Sequence, residues 1–234
     1  MKPLTILALL AATASHAAVT APYSNDFTSG SSDFTTTGKG GTGNETWETN
    51  PTDGAWNVSI TGAGQNAYAQ VQLDSSSQTT VLSQGFVFST TFDLIDVESE
   101  LDIIALDLLF ADASAFSNFF RVALIGDGTI RLNYRDSSAF NIIDDKISSS
   151  IDINNLSSVT LSVAITNINQ TSNTFDYAIT ASSGAISDSI SGSYNGSFGA
   201  SFGYQYGVFL RQNGTALEHN ADDSFEVALS NFSI

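Results

Sequence analysis

Three arginines, Arg121, Arg131 and Arg135, occupy odd positions in a stretch whose even positions, Phe120, Val122, Leu124, Ile130, Leu132 and Tyr134, are apolar or aromatic. If that stretch is a hairpin of extended strands, the guanidinium groups share one face. Their forked donors then suit the sulfate or carboxylate groups of anionic sugars. Sugars also stack their apolar ring faces on aromatics and offer hydroxyls to amides and carboxylates. Tyr204, Tyr206, Trp47 and Asn213 are candidates for that part of a carbohydrate site. Each has a plainer alternative, because aromatics in layered folds fill core and surface arginines pair with nearby acids. Asp26, Asp222 and Asp223 offer the carboxylate oxygens that a hard cation such as Ca²⁺ prefers, without EF-hand spacing. Their alternative is a solvated acidic loop that ends a strand.

The elements that must position these groups read as strands. From Trp56 onward, short segments alternate apolar and polar residues between clusters of Gly, Asn, Asp and Ser, with no convincing helical periodicity. Phe86, Phe88, Phe92 and Leu94 share a face, as do Ile104, Leu106, Leu108 and Phe110. Val159, Leu161, Val163 and Ile165 repeat the pattern, answered across a long polar loop by Phe175, Tyr177 and Ile179. Phe225, Val227 and Leu229 close the chain. In the arginine-bearing hairpin, even positions face even positions only if the loop is odd-numbered. The sequence therefore predicts a Gly126-Asp127-Gly128 loop with Gly128 left-handed. Residues 28–54, rich in Gly, Thr and Ser, read as loops around short strands anchored by Trp47 and Trp56.

Lys2, the apolar run Leu4 to Leu10 and the small-residue site Ser15-His16-Ala17 read as a bacterial-type export signal cut after Ala17. The expected product, residues 18–234, is a single β-sandwich domain, secreted to the extracellular space or periplasm. Removing the signal takes the net charge from −17 to −18, since Lys2 is its one charged residue. Such acidity argues against nucleic acid and anionic membrane surfaces as partners. No apolar stretch reaches the ~20 residues of a membrane helix, so the mature chain is not expected to insert. The absence of cysteine excludes disulfides and thiolate chemistry, and His219 is the one histidine left for a metal site or triad.

The chain resembles the concanavalin A-like lectin/glucanase superfamily, in particular the laminin G-like jelly rolls of secreted bacterial proteins of the PEP-CTERM type. The resemblance rests on an early strand at Tyr23-Ser24-Asn25-Asp26-Phe27, the Phe119–Leu124 and Ile130–Leu132 hairpin, and a closing stretch from Ser224 to Ser233. It implies an all-β fold of two antiparallel jelly-roll sheets with first and last strands side by side. It also implies a structural Ca²⁺ near those paired strands, which is where Asp26, Asp222 and Asp223 would fall. Residues 18–234 contain no Pro-Glu-Pro stretch, so sorting of that type is not expected.

Hydrolases on this fold carry a Glu-x-Asp-x-x-Glu strand, which Glu100-Leu101-Asp102-Ile103-Ile104-Ala105 resembles only in its first half. Ile104 and Ala105 stand where a second glutamate would be needed, and neither can move a proton. No catalytic activity is therefore expected. Three readings remain, in this order: a glycan-binding module, a structural or adhesive surface protein without a small ligand, and a degenerate laminarinase-like hydrolase.

Overall fold

A computed structural model describes residues 18–39, 43–62, 64–97, 102–109, 119–136, 139–148, 150–196, 202–212 and 224–234. In chain order the strands begin with β1 (Ser24–Asn25), β2 (Thr35–Lys39), β3 (Asn44–Trp47), β4 (Trp56–Thr61) and β5 (Asn66–Gln72). A helix, α1 (Ser75–Gln84), precedes β6 (Phe86–Asp96), β7 (Ile103–Leu109), β8 (Phe119–Ile125), β9 (Thr129–Asp136) and β10 (Ala139–Ile147). The remainder are β11 (Ser158–Asn169), β12 (Thr174–Ser183), β13 (Ile186–Asn195), β14 (Gln205–Arg211) and β15 (Ser224–Ser233).

Two antiparallel sheets result. One runs β13-β12-β11-β6-β15-β4-β3, with β1 also on β15; the other runs β10-β9-β8-β7-β14-β5-β2. The first and last strands pair, Ser24 opposite Ser233 and Asn25 opposite Phe232. Alternation sets the core: Phe88, Leu106 and Val163 are wholly buried, along with Phe92, Ile104, Leu161, Ile165 and Val227. The hairpin is built as its parity requires. Leu124 pairs with Ile130 and Val122 with Leu132, and the loop turns through Gly128 at φ +84°.

Two expectations are corrected. The stretch after β5 is not strand but α1, capped by Asp74, whose carboxylate accepts from the Ser77 amide at 2.7 Å. Only Ser77 and Val81 of this helix are buried, so it lacks the apolar stripe by which helices are usually recognised. The connection after Ile165 is also shorter than expected, because β11 continues to Asn169 and β12 resumes at Thr174.

At the free edge, a register shift between Ile142 and Asp144 turns Asp144 and Lys146 inward, opposite Leu132 and Ile130. There they join the two sheets. Tyr177 Oη on β12 donates to Asp144 Oδ2 at 2.9 Å, and Lys146 pairs with Asp188 on β13. Burial, then the Asp144 carboxylate, pushes the Tyr177 hydroxyl up to about 12.

At Gly128 a Cβ would stand 2.7 Å from the Ile151 carbonyl oxygen, in a left-handed backbone that also disfavours side chains. Gly128→Ala should therefore lose more than about 1 kcal/mol of stability, read as a lower urea midpoint at unchanged slope.

Candidate functional site

The outer face of the seven-stranded sheet carries the arginines. Arg121 stands between Asp107 and Asn133, Arg131 between Ala123 and Asp145, and Arg135 between Phe119 and Phe140. This face divides into a closed half over β5, β14, β7 and β8 and an open half over β9 and β10.

In the closed half Tyr68, Ala105, Ala123 and Phe209 form a second, smaller apolar cluster. Arg121 lies within it, 5% exposed, its Nε 2.7 Å and Nη2 2.6 Å from the two carboxylate oxygens of Asp107, itself 1% exposed. The guanidinium carbon sits 3.3 Å from the Phe209 ring centroid and 4.6 Å from that of Phe119. Burial pushes the Asp107 carboxyl up while Arg121 pulls it back. Burial likewise works against the Arg121 charge, but Asp107 holds it above its ordinary value. All the fork's geometry is spent internally. Arg121 is therefore corrected from a sugar contact to half of a buried ion pair.

The open half is different in kind. Arg131 meets Asp145 at 3.2 Å, with side chains 28% and 47% exposed, a pair that water screens heavily. Arg135 is half-buried and makes no ion pair with any described residue. Its guanidinium carbon lies 4.9 Å from the Phe140 ring, which is 53% exposed and braced edge-on by Phe119 at 5.6 Å. Asn133, also half-buried, completes the row opposite Ile142. A projecting ring, a guanidinium beside it and an amide one step along form the set of groups that a charged sugar requires.

Phe140 and Asn133 are the candidate residues that sequence reasoning missed. The alternation of Phe140 with Ile142, opposite Arg135 and Asn133, carried the signal.

The other candidates disperse. Tyr206 is corrected outright: it pairs with Leu108 and Val71, points inward, and is wholly buried against Phe86 and Phe88 at 5.2 and 5.3 Å. Tyr204 is half-buried and its hydroxyl accepts from Gln72. Trp47 leans on Trp56, ring centroids 4.6 Å apart, far from the arginines in the other sheet. Asn213, Asp222 and Asp223 lie outside the described residues, as do Glu100 and Phe110. Asp26 is exposed and its Oδ1 accepts from Thr28 N and Oγ1 at 3.1 and 2.7 Å, which holds the carboxyl below its usual range. Among the described residues no group of three or more His, Asp or Glu could hold a metal ion. Asp102 is buried, Ala105 lies in the small apolar cluster, and Asp107, the remaining carboxylate of that strand, is engaged by Arg121.

The architecture is a two-sheet antiparallel sandwich of the jelly-roll kind. No protein-family model matches the sequence, and no curated protein matches it. Solved structures match it in fold. A β-glucanase of Bacillus licheniformis aligns at TM-score 0.53 and 8% identity, covering 91% of this chain and 97% of its own. The CBM2 module of the evolved Dit protein of Lactobacillus casei BL23 phage J-1 aligns at 0.52 and 8% identity, covering 91% and 96%. The GH43 protein BlXynB of B. licheniformis aligns at 0.54 and 12%, covering 90% of this chain and 39% of that one. At these identities the likeness is one of fold. Among the described residues no helix is long and apolar enough to cross a membrane.

The buried pair yields an asymmetric expectation. Asp107→Leu or Arg121→Met alone leaves a buried partner uncompensated and should cost about 3–5 kcal/mol, whereas the two together, apolar and of similar volume, should cost far less. Denaturant titration of the two singles and the double, as a thermodynamic cycle, measures this directly.

Proposed function

We propose that this chain is an exported, non-catalytic glycan-binding module that holds anionic polysaccharide on the open half of its arginine-bearing face. The observation that carries the reading is Arg135 beside the exposed Phe140 ring, with no described carboxylate paired to it, in a chain with 24 acidic and only seven basic residues. A guanidinium that no described residue neutralises is open to an anion from outside. Arg131 is the second contact, because its exposed tie to Asp145 is easily exchanged for a sulfate or uronate. Phe140 supplies the apolar platform for the sugar ring. The CBM2 module and the β-glucanase that share the fold support the carbohydrate part of this reading.

The protein's overall negative charge opposes approach of an anionic polymer. Screening confines that repulsion to about 8–10 Å at ordinary ionic strength, so the local cations decide the outcome at contact. The reading for catalysis runs the other way: Asp107 is committed to Arg121, and no second carboxylate stands beside it on that face among the described residues.

The test is affinity electrophoresis through gels carrying sulfated or uronic polysaccharide. The parent chain should be retarded, progressively less as salt rises. Arg131→Ala with Arg135→Ala should abolish the retardation, and Phe140→Ala should weaken it severalfold. Equal mobility of parent and double variant would remove the assignment and leave an adhesive or structural role.

A further inference from the structure

The opposite sheet carries a feature that the arginine face does not explain: an open cleft of about 610 Å³ on its outer surface, walled by the segment that follows β1. The cleft floor is made of hydroxyls. Ser24, Ser89 and Ser233 line it, and beyond the cleft the registers continue that rank through Ser162, Thr180 and Ser189. A second rank brings Thr160, Thr91 and Ser230 alongside it. Ser89 meets Ser233 at 3.0 Å and Thr91 meets Thr160 at 2.8 Å, so four floor hydroxyls are tied in two pairs across neighbouring strands ~4.8 Å apart.

The wall is held rigidly. Phe27 adopts φ +57°, a left-handed conformation that costs a bulky residue on the order of 1–2 kcal/mol. Its ring is wholly buried against Phe34 and Trp56 at 5.6 and 5.5 Å, and its amide donates to Asn25 Oδ1 at 2.7 Å. Asn25 also reaches the Gly30 carbonyl at 3.3 Å, and Tyr23 Oη donates to Asp33 Oδ2 at 3.0 Å. A fixed wall lowers the ordering cost of binding. The cleft thus has a prebuilt shape, a hydroxyl floor, and two carboxylates, Asp26 and Asp33, in its lining.

Charge selects the occupant. Among the described residues no lysine or arginine lines the cleft, so the charged groups an anionic chain would meet there are the carboxylates of Asp26 and Asp33. Hydroxyls, an amide and carboxylates are the donors and acceptors that match an uncharged polyol. We propose that this cleft binds a neutral polysaccharide chain, in a site separate from the arginine face and of opposite selectivity. It does not rest on the reading of that face. The chain would then hold two chemically different glycans on its two sheets.

Affinity electrophoresis in gels carrying dextran, laminarin, mannan or galactan, all run in EDTA, tests the proposal. At least one of these neutral polymers should retard the chain. Thr160→Tyr, which fills the cleft from its floor, should weaken that retention at least tenfold, and Asp33→Asn, which keeps the shape, severalfold. The second variant keeps a misfolded tyrosine variant from deciding the result. The proposal is overturned if none of the four polymers retards the parent, or if both folded variants are retarded as strongly as the parent. Dextran sulfate run in parallel reads the arginine face instead, so loss of one retention without the other tells which assignment has failed.

Discussion

Between the two sheets, Phe120 of β8 meets Phe175 of β12 and Tyr194 of β13 with ring centroids 5.0 and 4.6 Å apart, and Phe88 of β6 meets Tyr206 of β14 at 5.3 Å. These rings are contributed alternately by the two layers, and each is buried. Such contacts are weakly directional, yet they fix register firmly, because a slip of one residue would turn an entire strand's apolar set into water. Both outer surfaces follow from that constraint. Arg121, Arg131 and Arg135 share a face because Phe120, Val122 and Leu132 must share the other. The hydroxyl ranks form in the same way behind Phe88, Leu161 and Val163.

Electrostatics then divides the arginine face. Around Arg121, Phe209 and Phe119 remove water, and a charge in that setting persists only with a bidentate partner. Around Arg135 the surface is open, so a guanidinium can stay hydrated beside a ring. Three residues of one type on one face therefore differ in what they can do, and the difference arises from neighbours on β7, β10 and β14.

That origin explains what could be read beforehand. The hairpin was legible because parity is local: once Phe120 must meet Tyr134, an odd loop follows, and Gly128 is the residue that can turn it. The burial of Arg121 was not legible, because Asp107 and Phe209 reach it from strands 14 and 88 positions away in the chain. Tyr206 misled for a related reason. In the run Gly203-Tyr204-Gln205-Tyr206-Gly207 both tyrosines are even-numbered, so alternation puts them on one face without saying which, and only the pairing of Tyr206 with Leu108 and Val71 shows that its ring enters the core. The α1 helix escaped notice because Val81 and Leu82 are its sole apolar side chains, too few for a periodic signal. Its N-cap, Asp74, was the one local sign.

The kink between Ile142 and Asp144 has a bearing on the company this molecule keeps. An outermost strand ordinarily invites neighbours to extend the sheet, a route to fibres. Here a newcomer would face an interrupted ladder whose carboxylate and ammonium groups are already tethered to the sheet beneath. Along this edge, copies can lie close together without zipping into one another.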